Sequence, residues 1–404
     1  VVEEHPVPIP TRRDPILAAA RVGTASAGSA ALIAAAFVSM VDRSVTPPLV
    51  TVVAKDMGAS LALIASAVTI YSLAYAGLQL VWSALATRYS RIRLLAISTG
   101  IAGLADAASA FAPDPTSFLL ARGLAGGAFA ATFTAVLIHF GDTLTMRQRA
   151  VATANLAGAV SLGLAAGTVG AGIIAQLSSW RWVYAAVAAA SIVLAIVLAC
   201  LPAAPPPPGE HVLPSIRRLS HNRWALAVLA FTVLEGTLLV GVFASLPVAL
   251  QAKGTSVLVA GLVTAAFGIT VVLVSQLMKL VLGRWSAWLL LLLAGCTAFV
   301  GYLVLTLDVS PFSVLAAAAL LGVAWTLGHT TIQTWMTDAV HDGRAIGMSF
   351  FSIALFAGGS LGAALGGVAA SGGGFRALFG GAAIGAAAFA ISTAFARSRY
   401  RVRE

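Results

Sequence analysis

Apolar runs of one length, separated by short polar stretches, repeat along the whole chain. Each run is about 20 residues, which is what a helix rising 1.5 Å per residue needs to cross about 30 Å of hydrocarbon. Read against the polar punctuation, the runs predict twelve membrane helices, over residues 27–49, 61–83, 94–112, 117–139, 151–173, 181–201, 224–248, 257–280, 286–306, 312–335, 345–368 and 376–396. The predicted fold is all-α: a polytopic membrane protein of twelve transmembrane helices in two pseudo-symmetric six-helix bundles.

The division into halves rests on two features. "LPAAPPPPGEHVLPSIRRLSHNR" separates the sixth and seventh runs, and its four consecutive prolines favour a stiff extended linker. "RAVATANLAGAVSLGLAAGTVGAG" (149–172) aligns without gaps to "RAIGMSFFSIALFAGGSLGAALGG" (344–367), bringing Gly163, Gly167 and Gly172 onto Gly358, Gly362 and Gly367. The expected organisation is a cytoplasmic tail (1–26), a first bundle (27–201), a cytoplasmic linker (202–223), a second bundle (224–396) and a basic tail (397–404). Such internal repetition is the trace of a carrier whose two bundles rock about a midplane site. The small-xxx-small spacing of Gly163 and Gly167 lets helix backbones approach closely in lipid.

Composition agrees: 59% of residues are hydrophobic and 9% charged, too few charges to cover a water-soluble fold. Of the 24 lysines and arginines, Arg43 and Arg122 lie within spans, and Lys55, Arg181, Lys253 and Arg376 fall on one side of the membrane. The other eighteen, Arg88 and Arg91 among them, fall on the side that also holds both termini, which the positive-inside rule makes cytoplasmic. The formal charge of +10 is spread in short clusters between runs, with no basic domain, so no nucleic-acid partner is expected. "VVEEHPVPIPTRRDP" precedes no short apolar region with a cleavage site and does not read as a removable signal peptide. Cys200 and Cys296 have no CxxC or histidine neighbour, and no metal or cofactor is expected. None of Lys55, Lys253 and Lys279 precedes Ser or Thr, which excludes a Gly-Lys-[Ser/Thr] phosphate loop. HExxH is also absent, so the reading is not an enzyme.

"WSALATRYSRIRLL" (82–95) follows the second span and "FLLARGLAGGAFAA" (118–131) forms the fourth. With the twelve spans and the central linker, these resemble the major facilitator superfamily, closest to its twelve-helix drug:proton antiporter branch. The second-span loop keeps Leu85, Ala86, Arg88 and Arg91 of that family's motif but has Ser83, Thr87 and Ser90 in place of Gly, Asp and Gly. Arg122 matches the buried arginine of the fourth-span motif. "GLAAGTVGAG" (163–172) resembles the fifth-span antiporter motif, with Thr168 where a proline is expected.

Five charges sit inside the predicted spans: Asp42, Arg43, Asp106, Arg122 and Glu235. A charge at a helix centre costs about 2.5–3.5 kcal/mol on insertion scales and normally faces a cavity or a partner. The resemblance implies that spans 1, 4, 7 and 10 line a central cavity. Asp42, Arg122 and Glu235 are the candidate proton-coupling groups, with Asp106 read as a structural hydrogen-bonding residue. Asp42 and Arg43 are neighbours and point about 100° apart, so one can face the cavity while the other reaches a neighbouring helix or the headgroups. Arg43, Gln79, Asn155, Trp325, His329 and Gln333 are candidate substrate-binding residues, the last three on one helical face, which also suits packing against a neighbouring helix. Pro47 and Pro48 remove two helix donors and should bend the first span near an outer gate. With Arg88, Arg91, Gly163 and Gly167 they form the candidate gating set.

The resemblance implies a secondary active transporter of a bacterial inner membrane, a monomer exporting a small amphipathic substrate in exchange for protons. The alternatives are a sugar or metabolite symporter or facilitator, and a transport-inactive sensor or scaffold.

Overall fold

The computed structural model describes residues 15–86, 88–202, 212–281, 285–340 and 344–400. Among them there are helices and connecting turns and no strand. The first half comprises α1 (Pro15–Asp56), α2 (Leu61–Leu85), α3 (Arg91–Ala110), α4 (Pro115–Phe129 with Thr132–Thr143), α5 (Met146–Leu177) and α6 (Trp180–Cys200). The second comprises α7 (Arg223–Ala252), α8 (Val257–Met278), α9 (Ala287–Leu307), α10 (Pro311–Ala339), α11 (Arg344–Gly372) and α12 (Phe375–Arg399). Eleven of these helices are long and apolar enough to cross a membrane, and α4, interrupted between Phe129 and Thr132, supplies the twelfth crossing in two pieces.

Two boundaries differ from the sequence reading. α1 begins at Pro15 rather than near residue 27, because a proline at the first helical position precedes the helix-forming "ILAAAR". It also runs on through Pro47 and Pro48 to Asp56. The linker, expected to be extended, carries a helix over Val212–Ser220, where Leu219 is buried while Arg217 and Arg218 are exposed. The proline run at 205–208, Thr87 and the two tails (1–14 and 401–404) lie outside the described residues.

The halves repeat one packing scheme. α1 packs on α5, α2 on α4 and α3 on α6; correspondingly α7 packs on α11, α8 on α10 and α9 on α12. The halves meet through α2 with α11 and α5 with α8.

A register of 196 positions links the first four helices of each half. Asp114 caps α4 in a box with Ser117, and Ser310 caps α10 in a box with Ser313. A side chain on Gly126 would strike the Tyr71 carbonyl of α2; on Gly322 it would meet the Phe267 carbonyl of α8 at 2.7 Å. On Gly163 it would meet the Phe37 carbonyl of α1 at 2.6 Å, and on Gly358 it would strike the Val233 carbonyl of α7. The aligned glycines therefore do the same job twice: they let α5 lie on α1 and α11 on α7 at backbone contact, where dispersion rather than hydrophobic exclusion must hold helices together.

Outward-facing Leu104, Leu124, Leu162, Ile196, Ile269, Ile384 and Ile391 are exposed. On a membrane protein this is the lipid-facing surface rather than an unfinished core.

α7 is irregular where it crosses α11. Thr237–Val242 forms a π-helical turn, one residue beyond Gly236, and the Tyr302 hydroxyl of α9 donates to the Leu238 carbonyl at 2.5 Å. π-turns inside α-helices are common at functional sites.

Candidate functional site

A cavity of about 250 Å³ lies between the halves. α1 contributes Arg43, Ser44, Thr46, Pro47 and Pro48, α2 contributes Tyr71 and Tyr75, and α5 contributes Ser161 and Thr168. From the second half come Leu239 and Phe243 on α7, Phe267 on α8, Trp325, His329 and Gln333 on α10, and Phe351 and Phe356 on α11. The ends of α1 and α7 meet at one end of it, where Gln251 Nε2 donates to the Pro48 carbonyl at 2.8 Å. Toward the opposite end of α2, the Ser83 and Ser349 hydroxyls join the halves at 2.9 Å. Ser83 stands in the loop motif where the superfamily has glycine; Arg88 in the same motif is exposed and Arg91 half-buried.

Of the five charges read from the sequence, only Arg43 reaches the cavity wall. Its guanidinium lies over the Phe356 ring, 4.7 Å from the centroid, and that ring stacks on Tyr75 at 3.6 Å. Asp42, one residue earlier, turns the other way, into the interior of the first half. There Arg122 Nη1 donates to Asp42 Oδ1 at 2.7 Å, Nη2 donates to Asp106 Oδ1, and Nε donates to Ser109 Oγ at 2.9 Å. All three charged side chains are fully buried. The Tyr184 ring of α6 covers the guanidinium at 4.5 Å, and its hydroxyl lies 3.1 Å from Thr46 Oγ1, which faces the cavity.

The cluster ties α1, α3, α4 and α6 together, and two carboxylates share one guanidinium. Asp42 Oδ2 and Asp106 Oδ2 have no hydrogen-bond partner among the described residues. Asp106 is thus an ionic partner of Arg122 as well as a structural residue. Nothing in its own span signals this, since the partner stands on the next helix.

Glu235 is buried behind the cavity wall, with Oε2 3.3 Å from His329 Nδ1. Its own span holds no basic residue; α10 supplies the imidazole 94 positions away. His329 in turn stacks on Trp325 at 4.1 Å and leans on Phe351. Trp325, His329 and Gln333 therefore share a face directed into the cavity. Gln79 is buried and Asn155 exposed, and neither lines the cavity. Gly163 and Gly167 sit in the α1–α5 seam, where a side chain on Gly167 would meet the Val41 carbonyl at 2.6 Å.

Two repeated six-helix bundles around one central cavity define a membrane transporter, not an enzyme. The chain belongs to the Major Facilitator Superfamily, whose sequence profile matches residues 32–348. It is similar to the puromycin resistance protein pur8 of Streptomyces alboniger, 31% identical over 156 residues, which are 38% of this chain and 31% of that protein. The chain thus spans less than a third of that relative's length in the matched region. Among solved structures it resembles a peptide transporter POT (TM-score 0.75, 12% identity, 92% of this chain and 94% of the other). It also resembles the nucleoside transporter NupG (TM-score 0.68, 15%, 92% and 99%) and a bacterial homolog of the human lysosomal transporter Spinster (TM-score 0.70, 16%, 93% and 98%). At these identities the likeness is one of fold.

Proposed function

We propose that this protein is a secondary active transporter of a bacterial inner membrane, with both termini cytoplasmic, that exports a small amphipathic compound in exchange for protons. The observation that carries the reading is the Asp42–Arg122–Asp106 cluster beside the cavity. Two carboxylates against one guanidinium leave a negative charge without a partner in a dry interior, and a proton on one carboxylate removes it. The cluster is linked to the cavity by adjacent residues of α1: Asp42 holds Arg122 while Arg43, Ser44 and Thr46 face the substrate space. Thr46 also touches Tyr184, which lies on Arg122. A substrate displacing Thr46 or turning α1 changes how Arg122 divides itself between the two acids, which is the coupling an antiporter needs. The pur8 likeness supports export of a drug-like molecule, and the apolar and aromatic wall supports an amphipathic one.

Reconstituted protein tests this. Asp42→Asn should abolish accumulation driven by a pH gradient and leave exchange between equal substrate pools largely intact. Full gradient-driven transport by both Asp42→Asn and Glu235→Gln would overturn the proton-exchange reading. Absence of counterflow in the wild type would favour a sensor or scaffold.

A further inference from the structure

The cavity wall is asymmetric in charge. Among the described residues, Arg43 is the one permanently charged residue lining it, and no aspartate or glutamate does so. Asp42 is turned into the first half and neutralised on Arg122, and Glu235 is screened by His329. Arg43 itself makes no hydrogen bond or ion pair with any described residue; its recorded contact is the face of Phe356. A guanidinium carries five N–H donors and matches the geometry of a carboxylate. Half-buried and facing the cavity, it offers those donors to a ligand group of opposite charge.

The rest of the wall specifies the other end of such a ligand. Trp325 and His329 form a flat stacked pair, and Phe243, Phe267 and Phe351 surround it. These rings offer π-faces to a planar apolar body.

We propose that the transported substrate is an organic anion, an aromatic body bearing a carboxylate or an equivalent acidic group, whose charge is held by Arg43. The assignment rests on the transporter reading above and adds the sign of the substrate's charge. A cavity selecting lipophilic cations would present an acid to the ligand; this one withdraws both of its nearby acids behind a cationic or titratable neighbour and presents a cation. The register makes the same point: 196 positions after Arg43 stands Leu239, which lines the opposite wall, so the charge is confined to one side of the cavity.

The test is equilibrium binding to the full chain in nanodiscs, without any gradient, using three probes of one skeleton: 2-naphthoate, 2-naphthamide and 2-naphthylmethylammonium. The carboxylate should bind at least about 10-fold tighter than the amide, as a charge-assisted hydrogen bond allows, and the ammonium probe most weakly. Arg43→Gln should remove the preference for the carboxylate while the amide's affinity holds, and Arg43→Lys should keep part of it. Melting temperature in the absence of probe verifies that each variant is folded. A preference for the ammonium probe, equal affinity for all three, no saturable binding of the carboxylate, or an unchanged preference in Arg43→Gln would each overturn the assignment. Because no proton gradient is involved, anion binding without gradient-driven flux would sink the exchange reading alone.

Discussion

The two halves share a scaffold and differ in what fills its middle. In the first, Arg122 holds Asp42 and Asp106 in a fully buried ionic cluster. In the second, the position 196 residues after Arg122 is Ala318 and the one after Asp42 is Leu238, both buried. There, a single neutral hydrogen bond from Tyr302 to the Leu238 carbonyl joins α9 to α7. At these positions one half thus carries charge that must be compensated and the other fills the space with an aromatic ring; the buried acid of the second half, Glu235, lies elsewhere, against His329. The polar irregularity of the second half lies in its backbone instead, in the π-turn of α7 beside Glu235. The halves share the glycine seams, which any close pair of helices in lipid needs, and differ in what fills the interior.

The comparison can be broken most sharply at Arg122. Arg122→Ala leaves two buried carboxylates without a cation and should cost about 3–5 kcal/mol, read as a large drop in melting temperature of the purified protein. Adding Asp42→Asn and Asp106→Asn to it should recover much of that stability, though not transport. The shared seam comes next. Gly167→Leu and Gly362→Leu each drive a side chain into a facing backbone, and overpacking of this kind costs about 1–3 kcal/mol or more. The two should destabilise alike; a strong effect in one half only would show that the seams are not equivalent. Tyr302→Phe removes one buried hydrogen bond and should cost about 1 kcal/mol, well below Arg122→Ala in the same assay.

The smallest effect separates the two helix caps. The Asp114 carboxyl is held below the usual carboxylate range by the Ser117 backbone N–H and hydroxyl, with help from Thr116. Its contribution is present above the unfolded-state value, 3.8, and lost as pH falls through the lower folded value. Ser310, its counterpart on α10, does not titrate in this range. Protection against hydrogen exchange, taken relative to each amide's intrinsic rate, should therefore fall at the start of α4 below pH 3.8 and hold at the start of α10.

Much of this was legible in the sequence because the bilayer imposes a length on every helix. The boundaries of α2, α6 and α9 fell within a residue or two of the predicted spans. The glycine repeat was readable because close approach needs small residues at fixed spacing. Pairing across helices was not, because no periodicity links Asp106 to Arg122 or Glu235 to His329; the meeting is set by the fold. The break of α4 after Phe129 was hidden because no proline stands near it; in α7 the one proline, Pro247, stands five residues beyond the π-turn and does not mark its place. The linker helix was missed for the opposite reason: the proline run dominated a stretch in which Val212–Ser220 packs through Leu219.

The lone cation on the cavity wall also has an electrical consequence. While the carrier is empty, the alternation of its halves carries the positive charge of Arg43 through part of the membrane field; an organic anion seated on Arg43 cancels that contribution. The voltage acting on Arg43 itself then falls on the empty carrier and not on the loaded one. A charge carried through the whole field is worth about 2.3 kcal/mol per 100 mV, and a fraction of the field gives that fraction. An interior-negative potential would favour the orientation in which the empty cavity opens to the negative side, so Arg43 would bias the resting orientation of the carrier as well as the sign of the substrate proposed for it.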